Sequence, residues 1–143
     1  MKPADEARRD LVGQWVLKAE KDFGLAEHLV REGSLYPEAV GFNSQQAAEK
    51  FLKAFLVMHQ IHFPKTHNLG ELLDLVAGIH RVLAESLREA TALNPYGVVY
   101  RYPGEFPELT KEAATTALEL AAKVRAAVAP LLSAYLQPPC QQS

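Results

Sequence analysis

Two short stretches of the chain carry residue types that do chemistry. In Asn43-Ser44-Gln45-Gln46-Ala47-Ala48-Glu49-Lys50 and just beyond it, Asn43, Gln46, Lys50 and Lys53 step by three, four and three, which puts them on one helix face. Uncharged amides beside lysines, on a segment otherwise rich in Phe, suit the polar lining of a cleft or a contact with a second copy. The plainer alternative is the solvated outer face of an amphipathic helix. In Tyr100-Arg101-Tyr102-Pro103-Gly104 a guanidinium lies between two aromatic residues. Arg offers a rigid fork of donors to a phosphate, and Tyr a stacking face to a base. Equally, Arg101 can be structural, pairing with a helix C-terminus while the tyrosines cover the edge of the core.

The histidines form a third group. His59, His62 and His67 lie close together, with Lys65 among them. Their spacing matches no zinc pattern and no carboxylate stands at a suitable offset, so solvation of a loop or capping of the next helix is expected rather than a metal site. His28 and His80 fall on helices as surface or boundary residues. No glycine-rich phosphate loop, nucleophile elbow or paired-carboxylate constellation is present.

The elements that must position these residues are all helical in pattern, and no segment alternates as a strand would. The first helix spans about residues 5–31, with Trp15, Ala19, Phe23, Ala26 and Val30 in one stripe and Gly33 as its stop. Gly13 and Gly24 weaken it and are expected to mark close backbone approach. A second helix, from Tyr36-Pro37 to about Gln60, carries a broad apolar face (Ala48, Phe51, Leu52, Phe55, Leu56, Met58) and should be central. A third begins after Thr66 or Asn68, either a sound N-cap, with Leu69, Leu72, Leu73 and Val76 inward. A fourth runs from about Ile79 to Leu93, with Val82, Leu83 and Leu87 inward. From Asn94 to Pro107 three Pro, two Gly and three Tyr interrupt the pattern, and a long loop is expected, of the kind that is often functional. The last helix covers about 108–136, with Ala114, Leu118, Ala121, Val124, Val128, Leu131 and Tyr135 inward; Pro130 should kink it or end it early. Residues 137–143 read as a frayed polar tail. The architecture expected is an all-α, up-and-down antiparallel bundle of about five helices over residues 5–136.

Composition narrows the function classes. The 143 residues favour one domain, and a chain of that size buries about 68% of its unfolded surface without a staple. With 15 Lys+Arg against 17 Asp+Glu, net charge is −2, so any nucleic-acid contact would need a local patch. Cys140 is alone, which excludes an intrachain disulfide framework and a cysteine zinc site. No apolar run approaches the roughly 18 residues of a membrane span, and the first ten residues lack the apolar core of a secretory signal. A soluble, cytoplasmic domain is expected.

Taken together, three stretches resemble the HEPN domain family, a family of helical nucleotide-binding domains. They are Trp15-Val16-Leu17-Lys18-Ala19-Glu20-Lys21-Asp22, then Phe42-Asn43-Ser44-Gln45-Gln46-Ala47-Ala48-Glu49-Lys50-Phe51-Leu52-Lys53-Ala54, then Lys65-Thr66-His67-Asn68-Leu69-Gly70-Glu71-Leu72-Leu73, followed by Tyr-Arg-Tyr-Pro at 100–103. In this order they cover about Leu11 to Leu136. The resemblance implies a bundle that dimerises through its central helices. Some members are metal-independent ribonucleases, including toxins encoded beside a minimal nucleotidyltransferase antitoxin; others are thought to bind nucleotides or to assist such transferases.

The ribonuclease branch places a His four to six residues after an Arg. Here Arg101 matches that arginine, but Phe106 follows the four intervening residues, then Pro107 and Glu108. The tyrosine that toxin members carry two residues beyond the histidine is missing as well. Cutting RNA without metal needs a group to take the 2′-hydroxyl proton, for which His is the natural choice, and its loss typically costs about 10²–10⁴ in rate. Glu105 or His67 would have to replace it. The resemblance therefore implies a non-catalytic homodimer in which Arg101 holds a nucleotide phosphate, Tyr100 or Tyr102 stacks, and Gln46, Lys50 and Asn43 line the floor. A nucleotidyltransferase partner is implied too, and no cofactor or metal. The alternatives are a toxin-like ribonuclease acting on RNA with a displaced base, and a dimeric interaction module without ligand.

Overall fold

A computed structural model describes residues 3–33, 36–97 and 109–137, and their regular structure is entirely helical. In chain order the elements are α1 (Ala4–Arg31), α2 (Pro37–Met58), α3 (Leu69–Ala77), α4 (Arg81–Ser86), a 3₁₀ helix (Arg88–Gly97) and α5 (Lys111–Leu136). Asp5 and Glu6 in the first turn of α1, and His28 and Arg31 in its last, complement the helix dipole. Gly33, at φ +66°, ends the helix in the left-handed conformation that favours glycine.

The short connection after α1 forces α2 back alongside it. Asp22 meets Lys50 and Trp15 meets Lys53, so higher numbers on one helix face lower numbers on the other. The same holds between α1 and α5, where Arg8 reaches Tyr135 and Glu20 reaches Arg125. Both α2 and α5 are therefore antiparallel to α1 and parallel to each other, with α3, α4 and the 3₁₀ helix returning the chain between them.

α2 is the central helix, as its broad apolar face leads one to expect. Phe51, Leu52, Phe55 and Leu56 are essentially inaccessible, each worth about 1.5–3 kcal/mol in transfer from water. Neighbours surround α2 so completely that Ser44, Gln45, Glu49 and Lys53 are buried with them. That enclosure sets the character of the site.

Elsewhere the structure corrects several expectations. The expected fourth helix is two elements, broken at Leu87. Leu87, Ala90 and Leu93, all buried, recur every three residues, which suits the three-residue turn of a 3₁₀ helix. That helix continues through Pro95 to Gly97, so the expected loop starts later than Asn94, and its remainder, 98–107, lies outside the described residues. Val82, expected inward, is 76% exposed. α5 starts at Lys111, with the Thr110 hydroxyl accepting from the Ala113 N–H, and continues past Pro130 to Leu136. Buried Val128 and Leu132 on either side of the proline hold those turns in place, so packing outweighs the lost hydrogen bond. Leu131 is exposed and Leu132 takes the inward position. Neither α1 glycine meets another backbone: Gly24 faces open space, and a Cβ at Gly13 would find only the tip of Leu136, at 4.0 Å.

Candidate functional site

The polar residues of α2 form one connected network rather than a free surface. Gln45, Glu49 and Lys53 succeed one another at four-residue steps, which stacks their side chains along the helix. The Gln45 amide Nε2 donates to Glu49 Oε1 at 3.1 Å and to the His67 carbonyl at 3.0 Å. Its Oε1 accepts from Gln46 Nε2 at 2.7 Å. Glu49 Oε2 accepts from the Lys53 ammonium at 3.0 Å, while Oε1 lies 2.9 Å from His67 Nδ1.

Burial makes the network consequential. The Glu49 and Lys53 side chains are 3% and 8% exposed, whereas His67 is 66% exposed. A carboxylate out of water needs its lone pairs filled, and Glu49 has three donors to fill them. Lys53 gains a further environment suited to a cation, 5.6 Å above the Trp15 ring and 5.6 Å from that of Phe63. Those two rings meet edge-on at 6.3 Å and also line an open groove of about 640 Å³ between the start of α1 and the end of α2.

His67 is held from two directions. Its loop precedes α3, whose N-cap Asn68 accepts at Oδ1 from the Gly70 and Glu71 N–H groups at 2.8 and 3.3 Å. Asn94 of the 3₁₀ helix accepts from the Leu69 N–H and donates to Asn68 Oδ1, tying that loop to the chain that leads to Gly97. Because the charge-paired carboxylate can only accept, Nδ1 carries the hydrogen.

The segment carrying Tyr100, Arg101 and Tyr102 lies outside the described residues, but its flanks do not. A Cβ on Gly97 would meet Gln45 Cδ and Oε1 at 3.0 Å, so glycine lets that backbone lie close on the amide without displacing it. On the other flank, Leu109 packs on Gly41, its Cδ2 3.0 Å from where a Cβ would stand. Gly41 and Gln45 are one helical turn apart. Between them in sequence is Ser44, whose buried hydroxyl has no hydrogen-bond partner among the described residues.

The face expected from the sequence is thus divided. Gln46 joins the network; Lys53 is buried in it. Lys50 forms an ion pair with Asp22, and Asn43 donates to the Ala39 carbonyl of its own helix at 2.8 Å. His67, expected to be solvated or to cap α3, is largely solvated at 66% exposure, contacts Glu49 through Nδ1, and leaves the cap to Asn68. Gln45, Glu49 and Ser44 were not singled out by sequence, although the four-residue spacing of Gln45, Glu49 and Lys53 was visible there. At the far end of α2, His59 lies against the Phe55 ring at 4.6 Å, and burial, then the charges of Arg8 and His80, lower its pKa below 6.5. Among the described residues no three His, Cys, Asp or Glu side chains gather to hold a metal. Nor is any described helix long and apolar enough to cross a membrane.

Against known proteins, the family model for the HEPN domain matches residues 12–131. No curated protein and no solved structure matches the chain.

Proposed function

The chain belongs to the HEPN domain family, and from that premise we propose that it binds the phosphate of a nucleotide in a cleft between two copies of itself, without cutting RNA. The observation that carries this reading is the position of the two flanks of the Arg101 segment. Gly97 and Leu109 rest one turn apart on the polar half of α2, at Gln45 and Gly41. Arg101 supplies the permanent charge and paired donors that a phosphate needs, and Tyr100 or Tyr102 a face for the base. Gln46 would contribute an amide, although its Nε2 already donates to Gln45 Oε1. Lys50 and Asn43 already have partners within the protomer, so a ligand reaching them would have to displace Asp22 or a helix carbonyl.

The chemistry favours binding over cleavage. Arg101 can stabilise charge on a phosphorane but cannot take a proton at neutral pH, and Phe106 stands at the first position where the family's ribonucleases carry His. A domain of this kind would act in the cytoplasm beside a nucleotidyltransferase, presenting or sensing its nucleotide. Incubation with a mixed single-stranded RNA pool in EDTA tests the reading. Intact RNA, together with a rise in melting temperature on adding ATP, is the expected result. RNA cleaved by the wild type and spared by Arg101→Ala would replace the reading with the ribonuclease one.

A further inference from the structure

The open groove between the start of α1 and the end of α2 shares no residue with the phosphate site proposed above. One wall is α1 itself. Ala4, Ala7, Leu11 and Trp15 follow at steps of three, four and four, which lays an apolar ridge about 16 Å long along the helix. Ile61 and Phe63, on the turn that leaves α2, form the facing wall. Leu11 is exposed there, and the Trp15 and Phe63 rings meet edge-on. At about 640 Å³ the groove falls in the size range of small-ligand sites. Gln60 also lines it, and closes the end of α2 at φ +59°, where glycine is usual. Its N–H bonds the Val57 carbonyl at 3.0 Å, so a residue with a polar side chain is kept in the wall at a position whose backbone favours none.

Arg8 sets the charge of the groove. Its Nε donates to the Tyr135 hydroxyl at 2.9 Å and its guanidinium lies 5.7 Å from that ring, so the head is fixed from the α5 side. The acid it pairs with, Asp5, is 87% exposed and is reached only at 3.5 Å, whereas Arg8 is 24% exposed. A carboxylate so far into water is a weak competitor. The Nη donors of Arg8 therefore suit one further anion, in the paired geometry that a carboxylate accepts. Asp5 and the exposed Glu6 next to it disfavour a polyanion. What complements a long apolar wall with one fixed cation is a long apolar chain with one negative charge. We infer that the groove binds a carboxylic acid carried on an alkyl chain, with the chain along Leu11, Trp15 and Phe63 and the carboxylate on Arg8.

Trp15 is the chain's only tryptophan, so its fluorescence reports on this groove. Titration with octanoate, decanoate and octanol at neutral pH, repeated by calorimetry, tests the inference. Decanoate should bind about tenfold more tightly than octanoate, at up to about fourfold for each methylene buried. Arg8→Gln should weaken decanoate by about tenfold or more and leave octanol unchanged, the range for a hydrogen bond to a charged group. Asp5→Asn, which removes the competing carboxylate without touching Tyr135, should tighten decanoate about two- to fivefold. Leu11→Glu, at an exposed position that leaves the fold intact, should abolish binding of all three, and Leu25→Glu, exposed on α1 but outside the groove, should bind as wild type does. No response of the wild type to decanoate at millimolar concentration would overturn the inference, as would a Leu11→Glu protein that binds normally. Equal decanoate affinities in wild type, Arg8→Gln and Asp5→Asn would overturn it too. So would a smaller sedimenting species for Leu11→Glu than for wild type without ligand, which would give the groove to a second copy of the chain.

Discussion

Removing the Glu49 carboxylate measures what the buried network contributes. In Glu49→Ala the Lys53 ammonium, on a side chain 8% exposed, loses its counter-charge, and Gln45 and His67 each lose an acceptor. Breaking one partner out of a buried pair typically costs about 3–5 kcal/mol, because the remaining charge stays uncompensated. Lys53 keeps the faces of Trp15 and Phe63, each at 5.6 Å, which offset about 0.5–1 kcal/mol apiece. The expected loss is therefore near the lower end, about 3 kcal/mol. For a chain of this size that lowers the melting temperature by roughly 6–12 °C. Urea unfolding followed by circular dichroism reads it directly. The double variant Glu49→Leu/Lys53→Met, which removes both charges and retains apolar volume, should return to within about 1 kcal/mol of wild type. As a control, Arg125→Ala breaks the Glu20 pair, whose side chains are 44% and 36% exposed, and should cost less than about 1 kcal/mol. A Glu49→Ala loss no larger than that control, or a double variant as unstable as the single, would refute the reasoning.

Three further outcomes follow from particular positions. Gly24→Ala places a methyl in open space inside α1 and should stabilise the protein by about 0.5–1 kcal/mol, read from the same unfolding curves. Gly97→Ala sets a Cβ 3.0 Å from Gln45, whose amide is fixed by Glu49, Gln46 and the His67 carbonyl and so cannot yield; a cost of about 1–3 kcal/mol is expected in denaturant unfolding. His59 has a lowered folded pKa, so above pH 6.5 its contribution is constant, and as pH falls below 6.5 the unfolded chain takes up the proton first and stability declines. His59→Gln should flatten that decline between pH 7 and pH 5 in a series of thermal melts.

The long helices were legible in the sequence because their apolar stripes are set by the same core they build. Ala19, Phe23 and Ala26 on α1 and Leu72, Leu73 and Val76 on α3 are buried where the spacing puts them. Patterns governed by period three were not legible: Ala90 and Leu93 read as the end of an α-helix and belong to a 3₁₀ helix that starts after Leu87. The site was half visible. Sequence spacing placed Gln46 and Lys53 on a polar face, but a face is solvated only if nothing covers it. How completely α1, α3, α5 and the 3₁₀ helix enclose α2 is a tertiary fact. His67 and Glu49 are 18 residues apart, and only the path of the chain after α2 brings them to 2.9 Å.

The most direct test of phosphate binding through Arg101 is calorimetric titration of ATP, with EDTA present, into wild type and Arg101→Ala. Saturable heat from the wild type, lost in the variant while its melting temperature without ATP is unchanged, is the expected result. A wild type that takes up no ATP at millimolar concentration, or an Arg101→Ala protein that binds as well as wild type, would contradict it.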